Sequence, residues 1–391
     1  MIETWRWFGP DDPVKLEQVV QAGAIGVVSS LDHIPTGESW PIADILERKK
    51  IIEAHGLQWL VTESLPIHHS IKTRGENYEY YLNSYKESIR NLGHAGITTI
   101  CYNFMPAVDW TRTNLRYQLA SGAYALRFDI AEFAIYDVHI LKRDTAAADY
   151  DFDTLERAKQ RFDVMSDIDK TQLEHNIIAG LPGGNDSFDR ESVRLVINEY
   201  NSLGAAYLRE SLYLFLQAVV PVAEKSGVRL CIHPDDPPFS LFGLPRIVST
   251  ASDVSQILAA VDSPANGLTF CTGSFGARKD NDLVQMIKLF GSKIHFVHLR
   301  NVKREIDKVF YEADHLDGDN DMVSIISALL DEQEQRKRRG RQDCLIPMRP
   351  DHGHLMGNEV VEWVARPGYS FIGRLKGLAE LRGVLHTLQS K

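Results

Sequence analysis

Near its C-terminus the chain reads RPDHGHLMG, residues 349–357, which sets Asp351, His352 and His354 within four positions. The stretch follows directly on the apolar run Leu345–Met348, so its polar residues stand where a buried strand would end. Pro350 and Gly353 punctuate it as they would an ordinary turn. The same residue types can also hold a divalent metal or move protons, and which applies depends on partners elsewhere. Three other apolar runs end in a comparable way: "VRLCIHP" offers His233, "GLTFCTG" offers Cys271 and "KIHFVHLR" offers His298. Taken singly, a strand histidine is more often a core or turn residue, and a lone cysteine is usually packing. Four ligand-type side chains at four successive run ends point instead to one metal site built from His233, Cys271, His298 and Asp351. Two imidazoles, a thiolate and a carboxylate suit Fe²⁺, Mn²⁺, Co²⁺ or Zn²⁺ better than Mg²⁺ or Ca²⁺. Cys271 would bind as the thiolate, its pKa lowered by the metal. His352 adjoins a ligand and is the best placed acid–base residue.

Such a site needs elements that bring the run ends together. Eight short apolar or β-branched runs recur: "TWRWFG", "AIGVVSS", "LQWLVTES", "ITTICYNF", "VRLCIHP", "GLTFCTG", "KIHFVHLR" and "DCLIPMRPD". Between most of them lie stretches with helical spacing: Pro13–Ala22, Pro41–His55, Glu76–Leu92, Ser211–Ser226, Ala251–Val261, Asp282–Phe290 and Met322–Gln333. Gly56, Gly96, Gly227 and Gly267 stand just before strand-like runs, where a helix gives way to a strand. Eight strands alternating with helices predict an α/β fold, a (β/α)8 TIM barrel, whose C-terminal strand ends share one face. An open doubly wound sheet competes, but "WRWFGPDDP" lacks the GxGxxG turn expected after its first strand. The expected organisation is one barrel domain over residues 1–391, with an inserted helical and irregular segment at 109–204 after the fourth strand. That segment holds "RFDIAEFAIYDVHIL", charged helical sequence near Asp153–Asp169, and "GLPGG", and is too long for an ordinary βα connection.

Composition narrows the function classes. A chain of 391 residues, 44% apolar and 25% charged, can bury a large core and is typical of soluble globular proteins. With 43 Lys and Arg against 53 Asp and Glu, the formal charge of −10 argues against nucleic acid or an anionic membrane as the main partner. "MIETWRWFGPDDP" has no basic region followed by an apolar stretch, so no signal peptide is expected. The most apolar segment, Leu212–Ala223, includes Gln217 and Pro221 and falls short of a spanning helix. Cys101, Cys231, Cys271 and Cys344 form no CxxC pair and read as buried free thiols of a cytoplasmic protein, Cys271 excepted.

Other polar clusters have plainer readings. His68 and His69 are expected in a surface loop, and His295 on the opposite side of its strand from His298. "ADHLDGDND" (313–321) lacks the order of an EF-hand loop. It reads as a turn plus a helix N-cap, with an active-site loop role for His315 as the alternative. The basic run "EQRKRRGRQ" (334–342) reads as a solvated helix end whose cations suit the helix dipole.

The motifs "HPDDPP", "FCTGSFG", "HFVHLRN", "HLDGDNDM", "RPDHGH" and "RPGYSFIGRLKGLAELRG" together resemble mannonate dehydratase of the hexuronate degradation route, over essentially the whole chain. The resemblance implies a barrel of the xylose-isomerase-like group that uses Fe²⁺ or Mn²⁺. The implied reaction takes D-mannonate to 2-dehydro-3-deoxy-D-gluconate and water. The family's ligands fall on the same four residues, and Tyr369 in "RPGYS" becomes a second proton-transfer candidate beside His352. Arg300 and Arg349 flank the metal strands and could fork the substrate carboxylate or serve as ion-pair partners; His315 joins them as a substrate-side candidate. The expected setting is a homo-oligomer in the cytoplasm, with no nucleic-acid or membrane partner. Removal of the C2 proton, α to a carboxylate, needs a cation for the enolised charge and a proton for the departing hydroxyl. A sugar isomerase would need several carboxylates around two hard metals plus a lysine. An endonuclease would need a basic face. A non-catalytic sugar-binding or structural metal protein would not need His352 beside the ligands.

Overall fold

The computed structural model describes residues 1–178, 190–362 and 365–390. All eight strand-like runs form strands, and four more appear. In chain order they are β1 (Ile2–Arg6), β2 (Gly26–Ser29), β3 (Gln58–Glu63), β4 (Thr99–Tyr102), β5 (Asn114–Gln118), β6 (Tyr124–Asp129), β7 (Arg229–Ile232), β8 (Asn266–Cys271), β9 (Ile294–His298), β10 (Val302–Arg304), β11 (Val309–Glu312) and β12 (Pro347–Arg349). The eight expected strands close a parallel barrel in the order β1-β2-β3-β4-β7-β8-β9-β12. Val28, Val61, Cys101, Cys231 and Phe296, from five different barrel strands, form a small buried cluster inside it, as side chains of alternating strands do when they fill a closed barrel.

Helices cover the barrel's outside at the positions their periodicity indicates, including Ile42–Glu53, Tyr78–His94, Ala251–Ala260, Leu283–Phe290 and Met322–Arg338. Local chemistry starts several of them. Thr250 and Asp253 form a reciprocal cap, and Asp321 accepts the Ser324 N–H at 3.0 Å, the N-cap expected of the acidic stretch. His68 also proves to be a cap rather than a loop residue: its Nδ1 accepts from Ser70 N at 3.1 Å and its ring stacks on Tyr81. In the basic run, Arg336 departs from a solvated reading. It is buried, paired with Glu332 at 2.8 Å, and donates to the carbonyls of Gly291 and Ile294.

The stretch between β4 and β7 differs from a purely helical and irregular insertion. It carries β5 and β6, which join β10 and β11 in a four-stranded antiparallel sheet of order β10-β11-β6-β5. Helices Phe152–Phe162 and Asp167–Ile178 follow. The chain re-enters the barrel through the helix Arg190–Lys225, interrupted at Gly204, whose φ of 77° is non-helical. "GLPGG" lies outside the described residues. Cys101 and Cys231 are buried free thiols as expected, Cys271 is buried and unpaired with another cysteine, and Cys344, expected to be buried, is partly exposed. No helix among the described residues is long and apolar enough to cross a membrane.

Candidate metal centre and active-site cavity

The register of the barrel assembles the site. Cys271, the last residue of β8, pairs with His298, the last of β9, and His298 pairs with Arg349, the last of β12. His233 follows β7 by one residue, its backbone N–H bonded to the Tyr102 carbonyl at 2.8 Å. The ligand atoms of His233, Cys271 and His298 all lie within 4.8 Å of one another. Asp351 adjoins them: its Oδ2 is 3.9 Å from Cys271 Sγ and 3.9 Å from His298 Nδ1. Asp351 adopts φ 48°, a left-handed conformation that aspartate tolerates better than most residues. The four strand-end residues expected to hold a metal thus lie together in the fold.

The donors are oriented by partners of their own. His233 Nδ1 is 2.6 Å from the Pro234 carbonyl, and its Nε2 is 3.1 Å from His298 Nδ1. His298 Nε2 is 3.1 Å from Glu63 Oε1. Each imidazole thus turns one nitrogen to an oxygen and the other to the cluster, as metal-binding histidines do. Cys271 Sγ accepts from Ser274 N at 3.4 Å and from Ser274 Oγ at 3.2 Å, at the start of the short helix Thr272–Gly276. Burial pushes the His233 imidazole pKa down, keeping it neutral and able to ligate.

A buried ion-pair network surrounds the donors. Arg112 grips Asp236 through both terminal nitrogens at 2.7 and 3.1 Å and reaches Glu312 at 2.7 Å. Arg300 reaches Asp236 at 2.7 Å, Glu312 at 3.2 Å and Asp351 at 3.3 Å. Arg349 forks Glu63 with two contacts of 3.0 Å and also pairs with Asp351. Burial alone would raise the carboxyl pKa values. The neighbouring guanidinium groups outweigh it and hold Glu63, Asp236 and Asp351 well below the usual carboxylate range, and Glu312 at about 2. Within this network three arginines face four carboxylates, leaving one negative charge uncompensated, and the Cys271 thiolate would add another. A divalent cation among these donors balances that excess, so both the residue types and the local charge fit a metal.

Over this cluster opens a cavity of about 270 Å³, whose walls include His233, Asp351, Arg300, Arg349, His352 and Tyr369, near the lower end of the roughly 300–1,000 Å³ usual for small-ligand sites. The His352 ring stands edge-on to Tyr369 at 5.2 Å between centroids and to Trp110 at 5.9 Å. Burial raises the Tyr369 phenol to about 12 although Arg349 pulls the other way. The two arginines do line the cavity, but their forks are engaged by Glu63, Asp236, Glu312 and Asp351, which places them as ion-pair partners. His315 does not join the lining. It is buried, its Nε2 contacts the Pro350 carbonyl, and its ring packs where a Cβ on Gly377 would stand; it supports the turn carrying Asp351 from behind. His295 is buried beneath Gly267, as expected of a structural residue.

Sequence reasoning missed Glu63, Arg112, Asp236 and Glu312. Glu63 ends β3, so the strand-end rule that found the ligands would also have found it. Asp236 lay in the quoted "HPDDPP" without a role. Arg112 lies in the stretch read as an insertion, and Glu312 immediately precedes the turn 313–321 in residues given no element.

Comparison with known proteins gives a consistent result. The sequence profile described as D-mannonate dehydratase (UxuA) matches residues 1–391. Over 389 residues the chain is 58% identical to mannonate dehydratase of Saccharophagus degradans and 53% identical to mannonate dehydratase 2 of Agrobacterium fabrum. In each case 100% of this chain and 98% of the relative are covered. The crystal structure of mannonate dehydratase from Streptococcus suis serotype 2 superposes with a TM-score of 0.78 at 32% identity, covering 100% of this chain and 94% of that one. A xylose isomerase domain protein from Planctomyces limnophilus, 11% identical with a TM-score of 0.50, shares the fold.

Proposed function

The chain belongs to the D-mannonate dehydratase family and is a hydro-lyase acting on D-mannonate; from that premise we propose that the barrel-mouth cluster carries the reaction. The observation that supports this most is the convergence of His233, Cys271, His298 and Asp351 in one cluster, at a cavity that His233, Asp351 and His352 line. We infer that His233, Cys271, His298 and Asp351 hold Fe²⁺ or Mn²⁺, with residues 1–391 as one barrel domain and 109–204 inserted in it. The same reading makes the protein a cytoplasmic homo-oligomer working in hexuronate catabolism.

When bound, the ion supplies a Lewis-acid centre for the carboxylate of the hexonate, whose C2 proton is otherwise only weakly acidic. The protein's residues do the rest. Arg300 and Arg349 hold Asp351 from two sides and keep it anionic. His352 Nε2 lies on the Asp351 side, 3.9 Å from Oδ1, and is the nitrogen placed to take the C2 proton. Tyr369, whose phenol stays protonated through neutrality, is suited to give a proton to the C3 hydroxyl as the C–O bond breaks. Trp110, Phe8 and Pro367 form apolar wall around these groups, limiting water at the reacting carbons.

The site should require a carboxylate at C1, since without it C2 deprotonation has no stabilised product. The test offers D-mannonate, gluconate, altronate and xylose to Fe²⁺- and Mn²⁺-loaded protein and follows the 2-keto-3-deoxy acid. Product from mannonate alone is expected, because misplacing reacting atoms by about 1 Å can cost around 10²-fold. Comparable turnover of altronate, or any ketose formed from xylose, would overturn the reading of the site.

A further inference from the structure

The role given to His352 engages one ring nitrogen and leaves the other to be explained. Its Nδ1 is 3.2 Å from Glu312 Oε1, a close approach without hydrogen-bond alignment, and it has no hydrogen-bond partner among the described residues, so a small turn of the ring is all that separates it from bonding that carboxylate. Glu312 is buried and ends β11, a strand of the antiparallel sheet rather than of the barrel. Its carboxylate is fixed from two further directions, by Arg112 at 2.7 Å and Arg300 at 3.2 Å. Its backbone is held as well: His354 Nε2 is 2.8 Å from the Glu312 carbonyl, and His354 Nδ1 is 3.3 Å from Asp314 Oδ1. One turn therefore grips β11 twice, with His352 on the side chain and His354 on the main chain. Burying a carboxylate costs several kcal/mol unless its partners compensate, so its placement against an imidazole calls for more than packing.

We propose that Glu312 is a positioning residue for His352. It accepts the Nδ1 proton, fixes the ring's tautomer and direction, and leaves Nε2 as the nitrogen that exchanges a proton with substrate. An imidazole without such a partner divides its proton between both nitrogens and its ring between orientations. The inference rests on the reading of His352 above. It extends that reading to the antiparallel sheet, which becomes the support for the proton-transfer group.

The test separates the length of residue 312 from its charge. Glu312→Ala, Glu312→Asp, Glu312→Gln and His352→Gln are prepared in the full chain and loaded with Mn²⁺. Glu312→Asp keeps a counter-charge for Arg112 and Arg300 but withdraws the oxygen from Nδ1; Glu312→Gln keeps the reach and an acceptor but loses the charge. The expected result is a loss of about 10–100-fold in kcat for the Ala and Asp variants, with KM for D-mannonate and Mn²⁺ content unchanged, and most of the rate retained in the Gln variant. ¹⁵N imidazole spectra, recorded on the same proteins loaded with diamagnetic Zn²⁺ because Mn²⁺ would broaden these resonances, should show His352 as one Nδ1–H tautomer in the parent and Gln forms and as a mixture in the Asp form. The reverse order, with Asp tolerated and Gln damaging, would make Glu312 a charge-balancing residue and overturn the proposal. An unchanged tautomer in the Asp form, or full activity in the Ala form, would overturn it too. Turnover retained in His352→Gln would instead remove the premise, and that outcome is read independently of residue 312.

Discussion

Cys271 stands with two imidazoles and one carboxylate, and in the proposed metal site its sulfur is the donor that favours the softer divalent ions. Replacing Cys271 by serine exchanges an anionic sulfur for a neutral hydroxyl in a buried place, so Cys271→Ser should lose metal and most of its activity. Metal content and turnover after reconstitution check it; a metal-replete, fully active serine form would take Cys271 out of the site. The neighbouring Asp351 and His352 should separate in the same assay. Asp351→Ala removes an anionic donor and leaves the Arg349 and Arg300 charges less compensated, so metal binding should fall. His352→Gln should keep metal and fold while turnover drops by about 10²–10⁴-fold, the usual contribution of a positioned proton transfer. Equal metal loss in both would make His352 part of the metal's support. These residues were legible because strand ends are marked by apolar runs that stop at a polar residue. The network around them was not, because an ion pair such as Arg112 with Asp236, 124 positions apart, leaves no local trace in the sequence.

The eight barrel strands could be read because they are short apolar or β-branched runs, most of whose residues are buried whichever face they point to, the pattern a parallel sheet between helices imposes. The antiparallel sheet could not. β10 spans three residues, β5 is half exposed, and β6 pairs with β11 across a long separation in sequence, so neither run length nor alternation marks them. Yet this sheet delivers Glu312 to His352. The element opposite it is the turn 351–354, which is held tightly: Gly353 N bonds the Gly368 carbonyl at 2.9 Å, and a Cβ on Gly353 would meet the backbone of Gly373 and Arg374 at the start of the C-terminal helix. Backbone cannot yield as a side chain can. Gly353→Ala should therefore destabilise the fold by about 1–3 kcal/mol. It should also reduce kcat at temperatures where the variant is still folded, since Asp351 and His352 flank the same position. Thermal unfolding and kinetics on one preparation check both; an unchanged melting temperature with full turnover would show that the turn has room to spare.

For the molecule as a whole, the barrel's far side carries a second histidine on the metal strand, and its burial should make stability depend on acid. His295 is buried behind Gly267 with neither ring nitrogen bonded among the described residues. Burial drives its pKa well below the ordinary value, and Arg229, Arg336 and Arg341 push in the same direction against the opposing pull of Asp343. In the unfolded chain the imidazole returns to about 6.5. Between those two values the unfolded state binds a proton that the folded state refuses, so unfolding takes up protons and stability rises with pH. Read downward, stability contributed by the neutral ring is intact above about pH 6.5 and is lost as the pH falls from there toward the folded pKa. The loss approaches about 1.4 kcal/mol per pH unit for a single group. Other groups titrate in the same range: His233 and His315 share the direction, while His354, raised by Asp314 and the Glu312 carbonyl against the effect of its own burial, opposes it. A difference between two proteins isolates the one residue. His295→Leu removes the titrating ring and keeps an apolar side chain of similar bulk. Its denaturation midpoint should therefore fall less steeply than that of the parent between pH 6.5 and 5, while turnover at pH 7.5 stays the same because the cavity lies at the other end of the strand. Parallel stability curves for the two proteins would show that the acid response is governed by the carboxylate network at the site and not by this buried ring.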